Sequence, residues 1–146
     1  MQQPSRRVCV SVATLVVLFM INSFSAASGG SFQGFYEYRN VTAAANQVSL
    51  TLDLKLVNAT GTDVHGATLR LESSSHPTGS YGSYPATSVA ANHSVDISQT
   101  FTVPQSEFQH WEKGAQPRIA ITYSDASGKT VQQQVQLIRR PIQKGN

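Results

Sequence analysis

Residues 48–56, with the sequence VSLTLDLKL, decide the fold class of this chain. Apolar side chains occupy every second position, and polar or charged side chains occupy the positions between them. A β-strand places alternate side chains on opposite faces, whereas a helix would spread these leucines around its whole circumference. The stretch therefore predicts a strand with one face in a hydrophobic core.

The same alternation recurs along the chain, and turn-forming residues separate the segments that carry it. Asn58 to Asp63 supply such a turn after the leucine strand, and Gly128 closes a later hairpin. The spacing predicts an all-β, antiparallel sandwich of about seven short strands. The predicted strands span 35–44, 48–56, 64–71, a short edge strand at 84–89, 95–103, 119–123 and 131–137.

One short helix is predicted between residues 104 and 114. Phe108 and Trp111 are three positions apart, so they would share a face of that helix, and Gly114 is well placed to end it. We predict that Trp111 is a plug that closes one end of the sandwich. The alternative is an exposed ring that stacks on a ligand.

The first 27 residues have the pattern of a signal peptide. Arg6 and Arg7 precede an apolar run over 8–21, which is too short to cross a bilayer comfortably. Small residues then lead up to Ala27, where we expect cleavage. The sequence thus predicts an exported protein, periplasmic or secreted, with no membrane span after cleavage.

The rest of the chain has the length of one domain. We expect a flexible leader over 28–34, the sandwich domain over 35–140 and a C-terminal tail over 141–146. Cleavage would remove the only cysteine, so no disulfide is predicted. The formal charge of +3 includes Arg6 and Arg7, so the charge gives no support for a nucleic-acid partner.

Neither catalysis nor a metal site has a clear sequence motif. No serine lies in a G-x-S-x-G elbow, so we predict that the chain is not an enzyme and has no cofactor. The histidines lack the close spacing of metal ligands, but two of them with a carboxylate remain an alternative. They are His65, His76, His93 and His110.

The predicted loop over 72–88 is the strongest candidate for partner binding. It combines tyrosine with serine and glycine, as recognition loops do. Its candidate contact residues are His76, Tyr81 and Tyr84; the alternative is an ordinary surface connection. The glutamine face of the last strand is a second candidate, because uncharged polar side chains do little to prevent strand addition. That face carries Gln132, Gln134 and Gln136.

The order of strands and turns around the Asn58–Val64 turn resembles bacterial immunoglobulin-like and fibronectin-III-like domains of exported proteins. The resemblance covers about residues 45–139 and includes the Ala-Asn-His-Ser-Val segment at 91–95. It implies an immunoglobulin-like fold and a binding, assembly or spacer role. The chain departs from that pattern in lacking a cysteine pair and in having the helix at Trp111.

Together these features predict an exported, non-catalytic module that binds a protein or glycan partner or serves in envelope assembly. A periplasmic metal-handling protein with histidine ligands is the alternative, followed by a small hydrolase. Three Asn-x-Ser/Thr triplets would matter only in a eukaryotic secretory pathway. They begin at Asn40, Asn58 and Asn92.

Overall fold

The structure, a computed structural model, describes residues 30–76 and 79–141. The predicted signal peptide over 1–27 and the tail beyond residue 141 lie outside the described residues. So do the first two residues of the predicted leader.

The described chain forms eight strands and one short helix, so the all-β prediction is confirmed. The strands are β1 (Phe32–Ala44), β2 (Gln47–Asn58), β3 (Val64–Glu72), β4 (Ser80–Ser83), β5 (Thr87–Val89), β6 (Ser94–Pro104), β7 (Arg118–Ser124) and β8 (Thr130–Arg139); the helix is α1 (Gln105–Glu112). Each strand except β4 and β7 alternates between buried and more exposed side chains over at least part of its length.

All eight strands belong to one mixed sheet, in the order β4-β3-β7-β8-β1-β2-β6, with β5 paired to β3. All strand pairs are antiparallel except one: Gly34, Phe35 and Tyr36 of β1 pair in parallel with the end of β8. The prediction of a purely antiparallel sandwich is therefore wrong. Alternation in a sequence predicts which face of a strand is buried, but it does not predict the neighbouring strand or its direction.

At the parallel join, Gly34 of β1 leaves room for the side chain of Leu137 on β8. A Cβ atom added at Gly34 would lie 2.4 Å from the Cδ2 atom of Leu137 on β8. A real side chain there would displace Leu137, which is fully buried. Gly34 thus favours the packing of Leu137 against β1 at this join.

The two ends of the strand order approach each other, so the sheet is nearly closed into a barrel. The ring of Tyr84, just after β4, packs edge-on against Phe101 of β6 with 5.1 Å between ring centres. The Tyr84 hydroxyl also donates to the Leu52 carbonyl at 3.4 Å. One face of the sheet therefore encloses a single core.

The leucines of β2 form the centre of that core, as predicted. The side chains of Leu50, Leu52, Leu54 and Leu56 have no exposed surface. Burying each leucine contributes about 2 kcal/mol relative to leaving it in water. The side chains that they meet from the other half of the sheet include Leu69, Leu71, Ile119, Ile121 and Leu137.

Two predicted boundaries differ from the structure. Strand β1 begins at Phe32, which is only 3% exposed, so residues 32–34 belong to the sheet and not to a flexible leader. The predicted loop over 72–88 contains the strand β4, whereas β5 lies within the edge strand predicted over 84–89. The sequence of β4, Ser-Tyr-Gly-Ser, has no alternation of apolar and polar side chains, and therefore it gave no strand signal.

The helix is found where the sequence predicts it, and Trp111 is the plug that we expected. Its side chain is 1% exposed and belongs to the core. Phe108, on the same face, packs edge-on against Tyr38 of β1 with 5.4 Å between ring centres. The helix thus covers one end of the sheet.

Candidate functional site

The helix end of the sheet holds the most organised polar cluster of the described residues. Glu107 lies in the first turn of α1 and is only 3% exposed. Trp111, one helical turn later, donates its indole N–H to Glu107 Oε1 at 2.9 Å. Because the buried indole fixes the carboxylate, Glu107 points at the chain that leaves β3.

Three consecutive serines after β3 donate to this carboxylate. Oε1 accepts from the backbone N–H of Ser74 and from its hydroxyl, both at 2.6 Å. Oε2 accepts from the Ser73 hydroxyl at 2.9 Å and from the Ser75 hydroxyl at 3.0 Å. With the indole, five donors converge on one carboxylate, and hydrogen bonds to a charged group are the stronger kind.

The loop after β3 is also closed by its own hydrogen bonds. The Ser73 hydroxyl oxygen accepts from the backbone N–H groups of Ser75 at 3.1 Å and His76 at 3.0 Å. The Ser73 N–H donates to the Gly79 carbonyl at 2.9 Å. Since β4 follows directly, we name residues 73–76 and 79–83 the anchored loop.

The Glu107 carboxylate stays ionised through most of the acid range. Burial raises its pKa, but the hydrogen bonds from Ser74, Ser73 and Ser75 lower the pKa by more than burial raises it. The result is a pKa of about 2, compared with an ordinary value of 4.5. A permanent negative charge therefore holds the loop at neutral pH.

This low pKa predicts a pH dependence of stability. Because the folded-state pKa lies below the unfolded-state value, the contribution of Glu107 is complete above about pH 4.5 and is lost as the pH falls towards 2. We expect Glu107→Gln to flatten the fall in melting temperature between those pH values. The melting temperature is measured by thermal unfolding at half-unit pH steps. Asp96→Asn is the control, because Asp96 is an exposed carboxylate on a strand. An unchanged acid profile in Glu107→Gln would contradict the assignment.

Two of the three predicted contact residues lie on the anchored loop. His76 is exposed, and its Nδ1 atom lies 3.1 Å from the Ser75 hydroxyl. Tyr81 is half-buried against the core. Burial raises the pKa of Tyr81, contact with Ser73 lowers it, and the Glu107 charge raises it again. The Tyr81 hydroxyl thus lies beside the serine and carboxylate cluster.

Tyr84, the third predicted contact residue, is not on the surface. It is 3% exposed and belongs to the core. Burial raises the pKa of its hydroxyl well above the ordinary value, and the Asp53 charge adds to the effect. The expectation that Tyr84 presents a contact surface is therefore wrong. The serines and glycines around Tyr84 indicated a recognition loop, but the ring folds inward and packs against Phe101.

The anchored loop brings a serine, a histidine and a carboxylate together, but not in the order that activates a nucleophile. A catalytic histidine bridges the hydroxyl and the acid. Here the Ser75 hydroxyl donates directly to Glu107, and His76 contacts the same hydroxyl oxygen from outside. The hydroxyl proton is therefore held by the carboxylate, and the arrangement organises the loop.

The four histidines lie at separate places in the fold. His65 is on β3, His76 on the anchored loop, His93 in the turn before β6 and His110 on α1, and all are exposed. Among the described residues, no three side chains of His, Cys, Asp or Glu are grouped as metal ligands would be. No helix in that part of the chain has the length and apolar character needed to cross a membrane.

The glutamine face of β8 is exposed as expected, and one of its side chains contacts the buried carboxylate of Glu72. Gln134 donates its side-chain amide to Glu72 Oε2 at 3.0 Å, and Arg70 donates to Glu72 Oε1 at 2.9 Å. Glu72 itself is only 3% exposed. Next to it, Arg118 donates to the Ser73 carbonyl at 2.8 Å. This face therefore supports the start of the anchored loop.

A shallow cleft of about 220 Å³ lies between the middle of β1 and the end of β8. The guanidinium carbon of Arg139 lies 4.4 Å from the ring centre of Tyr38. The Arg139 guanidinium also pairs with Glu112 at 3.5 Å. Arg139 is thus already engaged with an aromatic ring and a carboxylate.

Sequence reasoning missed two polar residues that organise the fold. Glu107 resembles an ordinary surface charge on a helix, although its spacing to Trp111 and the three-serine run were available as signals. Asn58, expected in an exposed turn, is fully buried. Its amide donates to the carbonyls of Thr62 at 2.8 Å and Val89 at 2.9 Å. A glycan on Asn58 is therefore incompatible with this fold, whereas Asn40 and Asn92 are exposed.

Comparison with protein-family models and with curated protein sequences finds no match. One solved structure that is similar in part is described as the crystal structure of a protein from Archaeoglobus fulgidus. It is 13% identical, and the match covers 79% of this chain and 100% of that chain with a TM-score of 0.28. A similarity at that level does not establish a common fold.

Proposed function

We propose that this chain is an exported, non-catalytic binding or assembly module of immunoglobulin-like design, and that the anchored loop is its contact surface for a protein or glycan partner. The observation that carries the proposal is the convergence of five hydrogen-bond donors on the buried Glu107 carboxylate.

The strand pairing supports the immunoglobulin-like part of the proposal. The strands of immunoglobulin domains are lettered A to G in chain order, and strand A pairs with B, B with E, C with F and F with G. The same pairs occur here as β1–β2, β2–β6, β3–β7 and β7–β8. Three pairings fall outside this pattern: β1 with β8, β3 with β4, and β3 with β5.

A rigid loop is what a recognition surface requires. Ordering a flexible loop on binding costs free energy, and a loop that is already ordered avoids most of that cost. Glu107 holds the three serines, while His76, Ser80, Gly82 and Ser83 remain exposed. Small polar residues around a histidine and a half-buried tyrosine give adaptable hydrogen bonding beside fixed contact area.

The geometry around Ser75 favours binding over hydrolysis. A hydrolase of the serine type would need His76 to accept the Ser75 proton, but that proton is directed to Glu107. A carboxylate with a pKa of about 2 is also a poor general base at neutral pH. Both features suit a structural anchor.

Replacing His76 by alanine tests the proposed contact surface. We expect affinity for the partner to fall about tenfold, or about 1.4 kcal/mol, because an exposed side chain at the centre of the contact is lost. The melting temperature should change little, because the ring is exposed. Binding is measured on a glycan array and against proteins of the cell envelope.

His65→Ala is the matched control, because His65 is also exposed but lies at the start of β3, away from the anchored loop. Equal affinity of the two variants for a partner of the wild-type protein would remove the anchored loop as the contact surface.

A further inference from the structure

Strand β6 ends the sheet, and one of its two edges has no neighbour among the described residues. It pairs with β2 alone, from Ser94 opposite Val57 to Pro104 opposite Gln47. The backbone N–H and C=O groups that point away from β2 have no strand to bond. A long edge of this kind is a template for pairing with another chain.

The core beneath the first part of this edge is incompletely covered. Phe101 and Val103 are buried, because β4 and Tyr84 lie over that end of β6. Val95 and Ile97 point to the same face but are only partly buried. One more strand beside residues 94–100 would therefore satisfy the backbone and cover two apolar side chains.

The usual protections of an exposed edge are missing from this segment. Natural edges carry lysine, proline, bulges or inward-pointing charges. Residues 94–100 have the sequence SVDISQT, with one charge and neither lysine nor proline. Asp96 points outward, and its nearest cation is Lys55 at 3.9 Å.

We infer that β6 pairs antiparallel with β6 of a second copy of this chain, about a twofold axis at Ile97. Ile97 is the midpoint of the uncovered segment. In that register Asp96 lies opposite Ser98 of the second copy, so no like charges face each other directly. Ile97 packs on its own counterpart, and Ser94 lies opposite Thr100.

The symmetry follows from the chemistry of the segment. A twofold interface needs a surface that is complementary to itself. A nearly uncharged strand with β-branched and hydroxyl side chains meets that requirement. This interface uses neither the anchored loop nor Glu107. It therefore stands or fails independently of the proposed function.

Disulfide capture tests the register directly. The full chain is expressed with Cys9→Ser, so that it has no native cysteine. One variant then carries Ile97→Cys, and a control variant carries Ile138→Cys. Both positions bear apolar side chains that are at least partly exposed. Opposite residues of an antiparallel pair lie about 4.5 to 5.5 Å apart between Cα atoms, which a disulfide can bridge. We expect Ile97→Cys to form a covalent dimer with oxidised glutathione at least tenfold faster than Ile138→Cys.

Sedimentation of the wild-type protein completes the test, and we expect a dimer at about 100 µM. A monomer at that concentration, or equal rates of cross-linking in the two variants, would overturn the inference. A monomer is the result expected if the edge of β6 instead pairs with an extended segment of another protein, because that segment is absent from the purified chain.

Discussion

Replacing Glu107 by alanine is expected to lower the free energy of unfolding by about 3 kcal/mol or more. The substitution removes the acceptor for five donors, and two of them, the Ser73 hydroxyl and the Trp111 indole, are on fully buried side chains. A buried donor without a partner costs the free energy of its lost hydration. Urea denaturation followed by tryptophan fluorescence reports both the stability and the environment of Trp111.

Glu112→Ala is the matched control on the same helix. Glu112 is about half exposed and makes one ion pair, with Arg139 at 3.5 Å, so its loss should change stability by less than about 0.5 kcal/mol. If both variants unfold at the same urea concentration, the five hydrogen bonds are not what holds the helix to the anchored loop.

Replacing Leu52 by aspartate should unfold the domain or lower its free energy of unfolding by about 4 kcal/mol or more. Leu52 has no exposed surface and lies in the middle of β2, between β1 and β6. Its cross-strand neighbours on the inner face, Tyr38 and Gln99, carry no positive charge that could neutralise a new carboxylate. Circular dichroism and amide exchange of the purified variant measure the loss.

Ser49→Asp is the control for Leu52→Asp, because Ser49 lies on the opposite face of the same strand and is partly exposed. It should fold with nearly normal stability. Equal damage at the two positions would mean that the faces of β2 are wrongly assigned.

Asp53 shows that the polar face of β2 is not simply exposed to solvent. The alternation in residues 48–56 places Asp53 on the polar face of β2, yet it is only 6% exposed. Arg39 donates to it at 2.8 Å from β1, and the Ser98 hydroxyl donates from β6. Alternation predicts the face, but a central strand is also shielded by the long side chains of its neighbours.

The sequence was most informative where the spacing of apolar residues alone decides the outcome. The leucines of β2 and the position of Trp111 are such cases. Spacing does not predict which strands become neighbours, so the pairing of β1 with β8 could not be foreseen. It also failed for β4, where Tyr81 and Gly82 carry no alternation.

The candidate site was only half predictable for a related reason. The composition of residues 72–88 indicated a recognition loop, and the structure places His76 and Tyr81 of that stretch on the anchored loop. The depth of Tyr84 depends on which ring it meets across the core, namely Phe101. The importance of Glu107 depends on three serines more than thirty positions earlier in the chain. Contacts at such separations arise from the tertiary fold.

The parallel join between β1 and β8 has a consequence for the order in which the molecule is made. Its partners, Gly34 to Tyr36 and Leu137 to Arg139, lie close to the two ends of the described chain. Contacts between distant positions slow folding, because chain entropy is lost before they form. β1 can pair with β2 early, but its other edge stays unpaired until β8 has been synthesised. The domain therefore reaches its final topology only once β8 is available, and a truncation before β8 leaves that edge of β1 without a neighbouring strand.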